Sequence, residues 1–257
     1  MGDLESWEKA AGFYAKLIGE DGDALRLELL NPVIIKLLGD IQNKKILDAG
    51  GGEGYLSRLL WRLGPEEIIC LDGSKKLIEI ARKKDDSGGK IKYQVADLEG
   101  KLPFSQDFFD VIIANMVLMD LGHPEAAVAE FSRILKKDGI FIFSILHPVF
   151  NLPYSRLKKG IREKVFRKPP SILITDYIHS QKIMRPMRAF GESKFIKMPY
   201  YHRPLGFYFD LLGNNKFLVS DFVEPVLSDD FIKKNPKLAY AGKFPWVLVV
   251  RAIESGS

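Results

Sequence analysis

Apolar positions first fall into register at residues 44–50, Lys-Lys-Ile-Leu-Asp-Ala-Gly, a short run that predicts a buried strand turning on glycine. From Tyr55 to Leu63 apolar residues recur at helical spacing. Glu67 to Asp72 reads as an apolar strand ending in an acid, and Ser74 is placed to cap a helix over Lys75–Lys84. The cluster Asp85-Asp86-Ser87-Gly88-Gly89 breaks the pattern. Ile91 to Asp97 then alternates as a strand, and Phe109 to Met116 is an apolar run typical of a central parallel strand. A helix is predicted over Pro124–Lys137, closed by the basic turn Lys136-Lys137-Asp138-Gly139, and Gly139 to Leu146 is the next strand.

The order β-α-β-α-β-β-α-β predicts an α/β fold with a doubly wound, mostly parallel sheet. The pattern lapses between Pro148 and Tyr201 and resumes with a helix over Leu205–Leu212 and a strand over Lys216–Val223. A last apolar strand, Trp246 to Ile253, brings the sheet to seven strands and is expected to pair antiparallel with its predecessor as a C-terminal edge hairpin. One domain is expected over residues 1–257. It comprises an N-terminal helical cap (1–40), a cofactor-binding core (40–147), an insertion or lid over the active site before the sixth strand (148–201), and a segment completing the sheet (202–257).

Composition narrows the class. At 257 residues and 46% hydrophobic, the chain has ample material for a core without a disulfide or metal staple. The lone cysteine, Cys70, lies in an apolar run and reads as a buried thiol. No run approaches the ~20 apolar residues of a membrane span, and the acidic N-terminus does not resemble a secretory signal, so a cytoplasmic protein is expected. Charge is uneven. Residues 151–203 carry 13 Lys/Arg against Glu163, Asp176 and Glu192, or +10, while the whole chain is +5.

The candidate chemistry lies at the carboxyl ends of the strands. Asp48 followed by Gly50, Gly52 and Gly54 brings bare backbone against a ligand at a helix N-terminus. Dinucleotide sites require a further glycine where Tyr55 stands, and a pyrophosphate is disfavoured by Asp48 and Glu53. A ligand with an ammonium and a sulfonium and no phosphate suits these acids better. Asp72, 20 residues after Gly52, is placed to accept hydrogen bonds from ribose hydroxyls, and Asp97-Leu98 ends the following strand where an adenine amino group can be met.

These residues resemble a known family. Ile46-Leu47-Asp48-Ala49-Gly50-Gly51-Gly52-Glu53-Gly54, Leu71-Asp72-Gly73-Ser74, Ala96-Asp97-Leu98 and the turn Leu135-Lys136-Lys137-Asp138-Gly139 look like the class I S-adenosylmethionine-dependent methyltransferases. They are most similar to the small-molecule group that includes the ubiquinone/menaquinone methyltransferases. The resemblance covers roughly residues 40–147. It implies S-adenosylmethionine as cofactor and S-adenosylhomocysteine as product, the glycine loop at the methionine moiety, Asp72 on the ribose, Asp97 and Leu98 at the adenine, and Asn115-Met116 beside the methyl group. Gly51 departs from relatives that usually carry cysteine there. Some uncharacterised members share a Tyr before Gly-Asp-x-x-x-Arg, similar to Tyr14 and Gly22 to Arg26. They also share His147-Pro148, Tyr201-His202-Arg203-Pro204-Leu205 and Glu224-Pro225. Tyr14 and Arg26 are accordingly expected to fold over the cofactor.

Methyl transfer is mainly alignment of an activated donor, with a base needed only when the acceptor must lose a proton. His147 suits that role, or else packs on Pro148 and fixes the insertion. Tyr201 and His202 are further candidates. The fourth strand ends Ala114-Asn115-Met116-Val117 and lacks the Asn/Asp-Pro-Pro-aromatic run of enzymes that methylate exocyclic amines of bases. The expected activity is therefore methyl transfer to a small-molecule acceptor, anionic or polar, gripped by the basic insertion. An RNA methyltransferase using that insertion and a non-catalytic cofactor-binding protein are the alternatives.

Overall fold

The computed structural model describes residues 3–150, 156–158, 171–187, 195–236 and 242–256. A seven-stranded sheet forms its centre. In chain order the strands are β1 (Lys45–Ala49), β2 (Glu67–Asp72), β3 (Ile91–Val95), β4 (Phe109–Asn115), β5 (Leu135–Leu146), two hairpins β6 (Arg156–Lys158), β7 (Ser171–Leu173) and β8 (Gln181–Met187), β9 (Ile196–His202), then β10 (Phe217–Val223) and β11 (Val247–Glu254). The large sheet runs β10-β11-β5-β4-β1-β2-β3 and is parallel except at β11, which pairs antiparallel with both β5 and β10. The expected C-terminal hairpin is present. Its second strand lies inside the sheet, and β10 forms the edge.

The central strands are apolar because both faces are covered. On one face Phe109, Phe131, Phe141 and Phe143 are fully buried with Tyr208 and Leu211. On the other, Ile34, Ile46, Leu56, Ile68 and Ile113 pack beneath the N-terminal helices. Those helices are α1 (Asp3–Ile18), a π-helical turn over Arg26–Leu30, and α2 (Asn31–Leu38). After the glycine loop comes α3 (Tyr55–Trp61). Next is α4 (Lys75–Lys83), capped by the Ser74 side chain, which accepts from the backbone N–H of Leu77 at 3.2 Å.

Helix α5 (Pro124–Ile134) is shorter than expected. The basic turn does not close it, because Leu135 already pairs with Phe109, and the ladder resumes only at Ile140 opposite Val111. Residues 136–139 bulge out between these pairs, with Asp138 at φ 61°. Lys136 there binds Asp110 at 2.9 Å. Helix α6 (Leu205–Asn214) precedes β10, and α7 (Asp229–Lys234) precedes β11.

The stretch without visible period contains real strands. In β8 the residues Gln181, Ile183, Arg185 and Met187 turn inward while Lys182, Met184 and Pro186 face out. An arginine on the inner face and a proline on the outer one hide the alternation. Strand β9 brings Tyr201 to the loop after β4, its N–H donating to the Met119 carbonyl at 2.8 Å. Much of the basic stretch, residues 159–170 and 188–194, falls outside the described residues. No helix among the described residues is long and apolar enough to cross a membrane.

Candidate active site

The glycine loop is tied down from below. The N–H groups of Gly50 and Gly51 both donate to the Leu71 carbonyl, at 2.7 and 3.0 Å. Gly50, Gly52 and Gly54 take φ values of +72°, +58° and +80°, which side-chain-bearing residues rarely adopt. At Gly52 an added Cβ would lie 3.2 Å from the Tyr14 ring, so α1 lays that ring directly on bare backbone.

Asp72 links the loop to the next helix. One carboxylate oxygen accepts from the Gly52 N–H at 2.9 Å, and the other from the Ser74 N–H at 2.8 Å. Ser74 in turn donates to Glu8 at 2.6 Å, and Leu4 covers Gly73, so α1 closes over this edge. The other acids of the loop turn inward. Asp48 is buried beneath it and accepts from the Ser57 hydroxyl at 2.6 Å. Glu53 is neutralised by Arg58 at 3.1 Å and Lys84 at 3.0 Å. Asp72 is thus the loop-edge acid that keeps part of its surface accessible.

Burial pushes both Asp48 and Asp72 up to about 6, against the lowering effect of their hydrogen bonds. A cationic ligand favours the ionised form, so its affinity is full above that range and declines as the pH falls through about 6. Calorimetry of S-adenosylmethionine from pH 8 to pH 5 is expected to show this loss, with a flatter profile in Asp72→Asn.

Arg26 is buried and donates to the Tyr14 hydroxyl at 3.1 Å while pairing with Asp23 at 3.1 Å. Its guanidinium also lies over the rings of Tyr14 and Tyr55, 5.8 and 5.6 Å from their centroids. Its Nε is buried without a partner among the described residues. Across the loop, Asn115 donates to Tyr55 at 2.6 Å and accepts from Ser144 at 2.6 Å, while Met116 has φ 63°. The strand expected to run to Asp97 stops at Val95, and Asp97 lies exposed just beyond it, accepting from the Glu99 N–H at 3.0 Å, with Leu98 buried in the core beside it.

The three candidate catalytic residues are engaged in different ways. His147 is buried, with Nε2 2.7 Å from Glu224 and Nδ1 accepting from the Val149 N–H at 3.1 Å. A backbone donor at Nδ1 places the proton on Nε2, and burial lowers the proton affinity of the ring despite Glu224. Both nitrogens are therefore occupied. Tyr201 donates its hydroxyl to Asp3, which also binds Lys182 at 2.6 Å. His202 is fully buried, its Nε2 donating to the Tyr177 carbonyl at 2.7 Å.

The sequence names Arg203 only within a shared segment and gives it no role. Arg203 donates to the carbonyls of Leu118, Leu121 and Gly122 at 3.3, 2.8 and 2.9 Å and so clamps the loop after β4. Asp120 sits within that clamped loop.

This sheet order and the glycine cradle facing strand-end acids define a class I S-adenosylmethionine-dependent methyltransferase fold. Residues 47–143 match the family described as "Methyltransferase domain". The chain is 36% identical over 110 residues to the ubiquinone/menaquinone biosynthesis C-methyltransferase of Stutzerimonas stutzeri, covering 41% of this chain and 43% of that protein. It is 32% identical over 113 residues to a malonyl-[acyl-carrier protein] O-methyltransferase from Hamiltonella defensa, covering 44% and 42%. These alignments span less than half the length of either relative. An S-adenosylmethionine-dependent methyltransferase from Mesorhizobium loti superposes with a TM-score of 0.73 at 24% identity, over 91% of this chain and 100% of that one, and so shares the fold. These likenesses support a methyltransferase domain of the class I S-adenosylmethionine-dependent kind over residues 47–143.

Proposed function

We propose that the protein transfers a methyl group from S-adenosylmethionine to a small-molecule acceptor bearing a negative or strongly polar group. The observation that carries this reading is the bare cradle of Gly50 and Gly52 closed between Asp72 and the Tyr14–Arg26 pair. Its chemistry fits the cofactor. Asp72 retains lone pairs for ribose hydroxyls, the buried acids favour a cation, and the orphaned Arg26 Nε suits a carboxylate. When bound, the cofactor supplies an activated methyl on a sulfonium, which leaves alignment and exclusion of water to the protein.

In this reading Asp97 and Leu98 meet the adenine, and Asn115 and Met116 flank the methyl. The helices of residues 1–40 cover the cofactor, and the 148–201 insertion covers the acceptor. Arg185, on the inner face of β8, is the described basic residue of the insertion best placed to hold an acceptor anion. His147 orients the entry to the insertion rather than removing a proton, because both its nitrogens are occupied. Tyr201 latches the hairpin to α1 through Asp3. A reducing, cytoplasmic setting agrees with the lone buried Cys70.

The two curated relatives act at an oxygen and at a carbon, respectively, and both chemistries lie within the proposed class. Incubation with methyl-labelled cofactor, a metabolite extract, tRNA and rRNA at two salt concentrations tests the reading. Label is expected in the low-mass fraction. Label confined to RNA, with steep salt dependence, would move the assignment to a polymer acceptor. Binding of S-adenosylhomocysteine without any label transfer would mark a non-catalytic protein.

A further inference from the structure

Ser144 is the lone polar residue in the apolar run Ile140 to Leu146 of β5, and it is fully buried. In the parallel ladder it pairs with Asn115, the last residue of β4. Its hydroxyl makes two bonds to the end of that strand. Ser144 Oγ donates to Asn115 Oδ1 at 2.6 Å and accepts from the Met116 N–H at 2.9 Å. The same N–H also reaches the Ser144 carbonyl at 3.0 Å. Met116 stands at φ 63°, left-handed backbone that a residue with a side chain adopts only at a cost. The paired acceptors of Ser144 hold it there.

Asn115 is fixed from its other side as well. Its Nδ2 donates to the Tyr55 hydroxyl at 2.6 Å, and that hydroxyl donates to Asn31 Oδ1 at 3.3 Å. Each hydroxyl has one proton to give, so the chain of bonds runs one way, from Ser144 through Asn115 and Tyr55 to Asn31. The Asn115 amide cannot turn over without losing both of its bonds. Asn115 and Met116 keep part of their surface accessible, while Ser144, Tyr55 and Asn31 behind them are buried. Tyr55 also begins α3 at the end of the glycine loop, and its ring lies beneath the Arg26 guanidinium that binds Tyr14. The chain therefore joins the end of β4 to the helices that cover the cofactor cradle. A buried hydroxyl is satisfied by one partner. This one has two, and both belong to the pair of residues proposed to flank the methyl group.

We propose that Ser144 is a positioning residue for methyl transfer: buried behind the site, it sets the orientation of the Asn115 amide and the turn at Met116 that the methyl group meets. The inference rests on the proposed placement of Asn115 and Met116 beside that group. A cofactor that carries the methyl meets this pair directly, whereas the demethylated product presents only a thioether there. Loss of Ser144 Oγ frees the amide to rotate and removes one of the two acceptors of the Met116 N–H. The flank then loses its alignment, while the glycine loop keeps its bonds to the Leu71 carbonyl and to Asp72. A loss selective for S-adenosylmethionine over S-adenosylhomocysteine is the signature of this role. General loosening of the fold weakens both.

The test compares wild type, Ser144→Ala, Tyr55→Phe and the double variant by calorimetry with S-adenosylmethionine and with S-adenosylhomocysteine, once urea melts show each to be folded. Ser144→Ala is expected to weaken S-adenosylmethionine roughly tenfold and S-adenosylhomocysteine by no more than about twofold. Tyr55→Phe keeps the ring under Arg26 but releases the amide from the opposite side, and the same selective loss is expected. Because both act through one amide, the double variant is expected to be little worse than either single variant. Transfer of labelled methyl to the low-mass metabolite extract at saturating cofactor should fall roughly 10²-fold in each variant. Equal weakening of the two cofactor forms, or weakening of neither, would overturn the proposal, as would losses that add in the double variant. Wild-type protein that binds neither form would overturn the cofactor reading itself. Wild-type binding with no selectivity in the variants leaves that reading standing and removes Ser144 alone.

Discussion

Replacing Asp72 by alanine is expected to weaken S-adenosylhomocysteine binding by at least two orders of magnitude. The carboxylate holds the Gly52 and Ser74 N–H groups at 2.9 and 2.8 Å, so its loss loosens both the cradle and the start of α4. Hydrogen bonds to a charged partner contribute about 1.5–3 kcal/mol each, and the proposed ribose contacts are lost as well. Stability should move differently. A carboxyl raised to about 6 in the fold disfavours its own ionisation there, so above that pH the ionised group costs folding stability, and the cost is relieved as the pH falls. Asp72→Asn is therefore expected to melt no lower than wild type at pH 7.5 while binding far more weakly. Calorimetry and thermal melts without ligand separate the two effects. Wild-type affinity in Asp72→Ala would remove Asp72 from the site.

Gly50→Ala is expected to damage the fold and the site together. The glycine sits at φ +72°, and an added Cβ would come within 2.5 Å of Val117 Cγ2. The backbone conformation alone costs an alanine roughly 1–2 kcal/mol. Forcing a methyl into packed Val117 adds roughly 1–3 kcal/mol. A drop in urea midpoint with unchanged slope should report the sum, and the remaining folded protein should bind S-adenosylhomocysteine poorly because Gly50 is itself part of the proposed cofactor cradle. The double variant Gly50→Ala with Val117→Ala should recover part of the stability by making room. If the single variant is as stable as wild type, the loop tolerates a shift that the packing here does not allow.

The order of the core elements was legible in the sequence because each obeys one rule. β1, β2 and β4 are mostly apolar because both faces are covered, and the glycines mark where the backbone turns at positive φ. Ser74 announced α4 by its capping chemistry. Sequence reasoning failed where tertiary contact decided. The α5 boundary moved because Leu135 finds Phe109 in the sheet, a pairing that no local pattern records. β8 was hidden because its inner face carries Arg185, which reads as surface. The sequence leaves His147 open between a base and a structural residue on Pro148, since nothing local says that Glu224, far along the chain, meets one ring nitrogen.

The interior position of β11 governs how the sheet comes together. β5 cannot gain its second neighbour until residues 247–254 fold back past both insertion hairpins, so the most central antiparallel contact is also among the most distant in sequence. Closing so long a loop is slow relative to forming the parallel half of the sheet. Until it closes, β5 presents an open and, over residues 140–146, largely apolar edge of the kind that recruits other chains. Stopped-flow refolding should accordingly show early burial around β1, β2 and β4 and a later phase that Val249→Ala slows further. Crowded refolding at high protein concentration should lose yield in the interval between them.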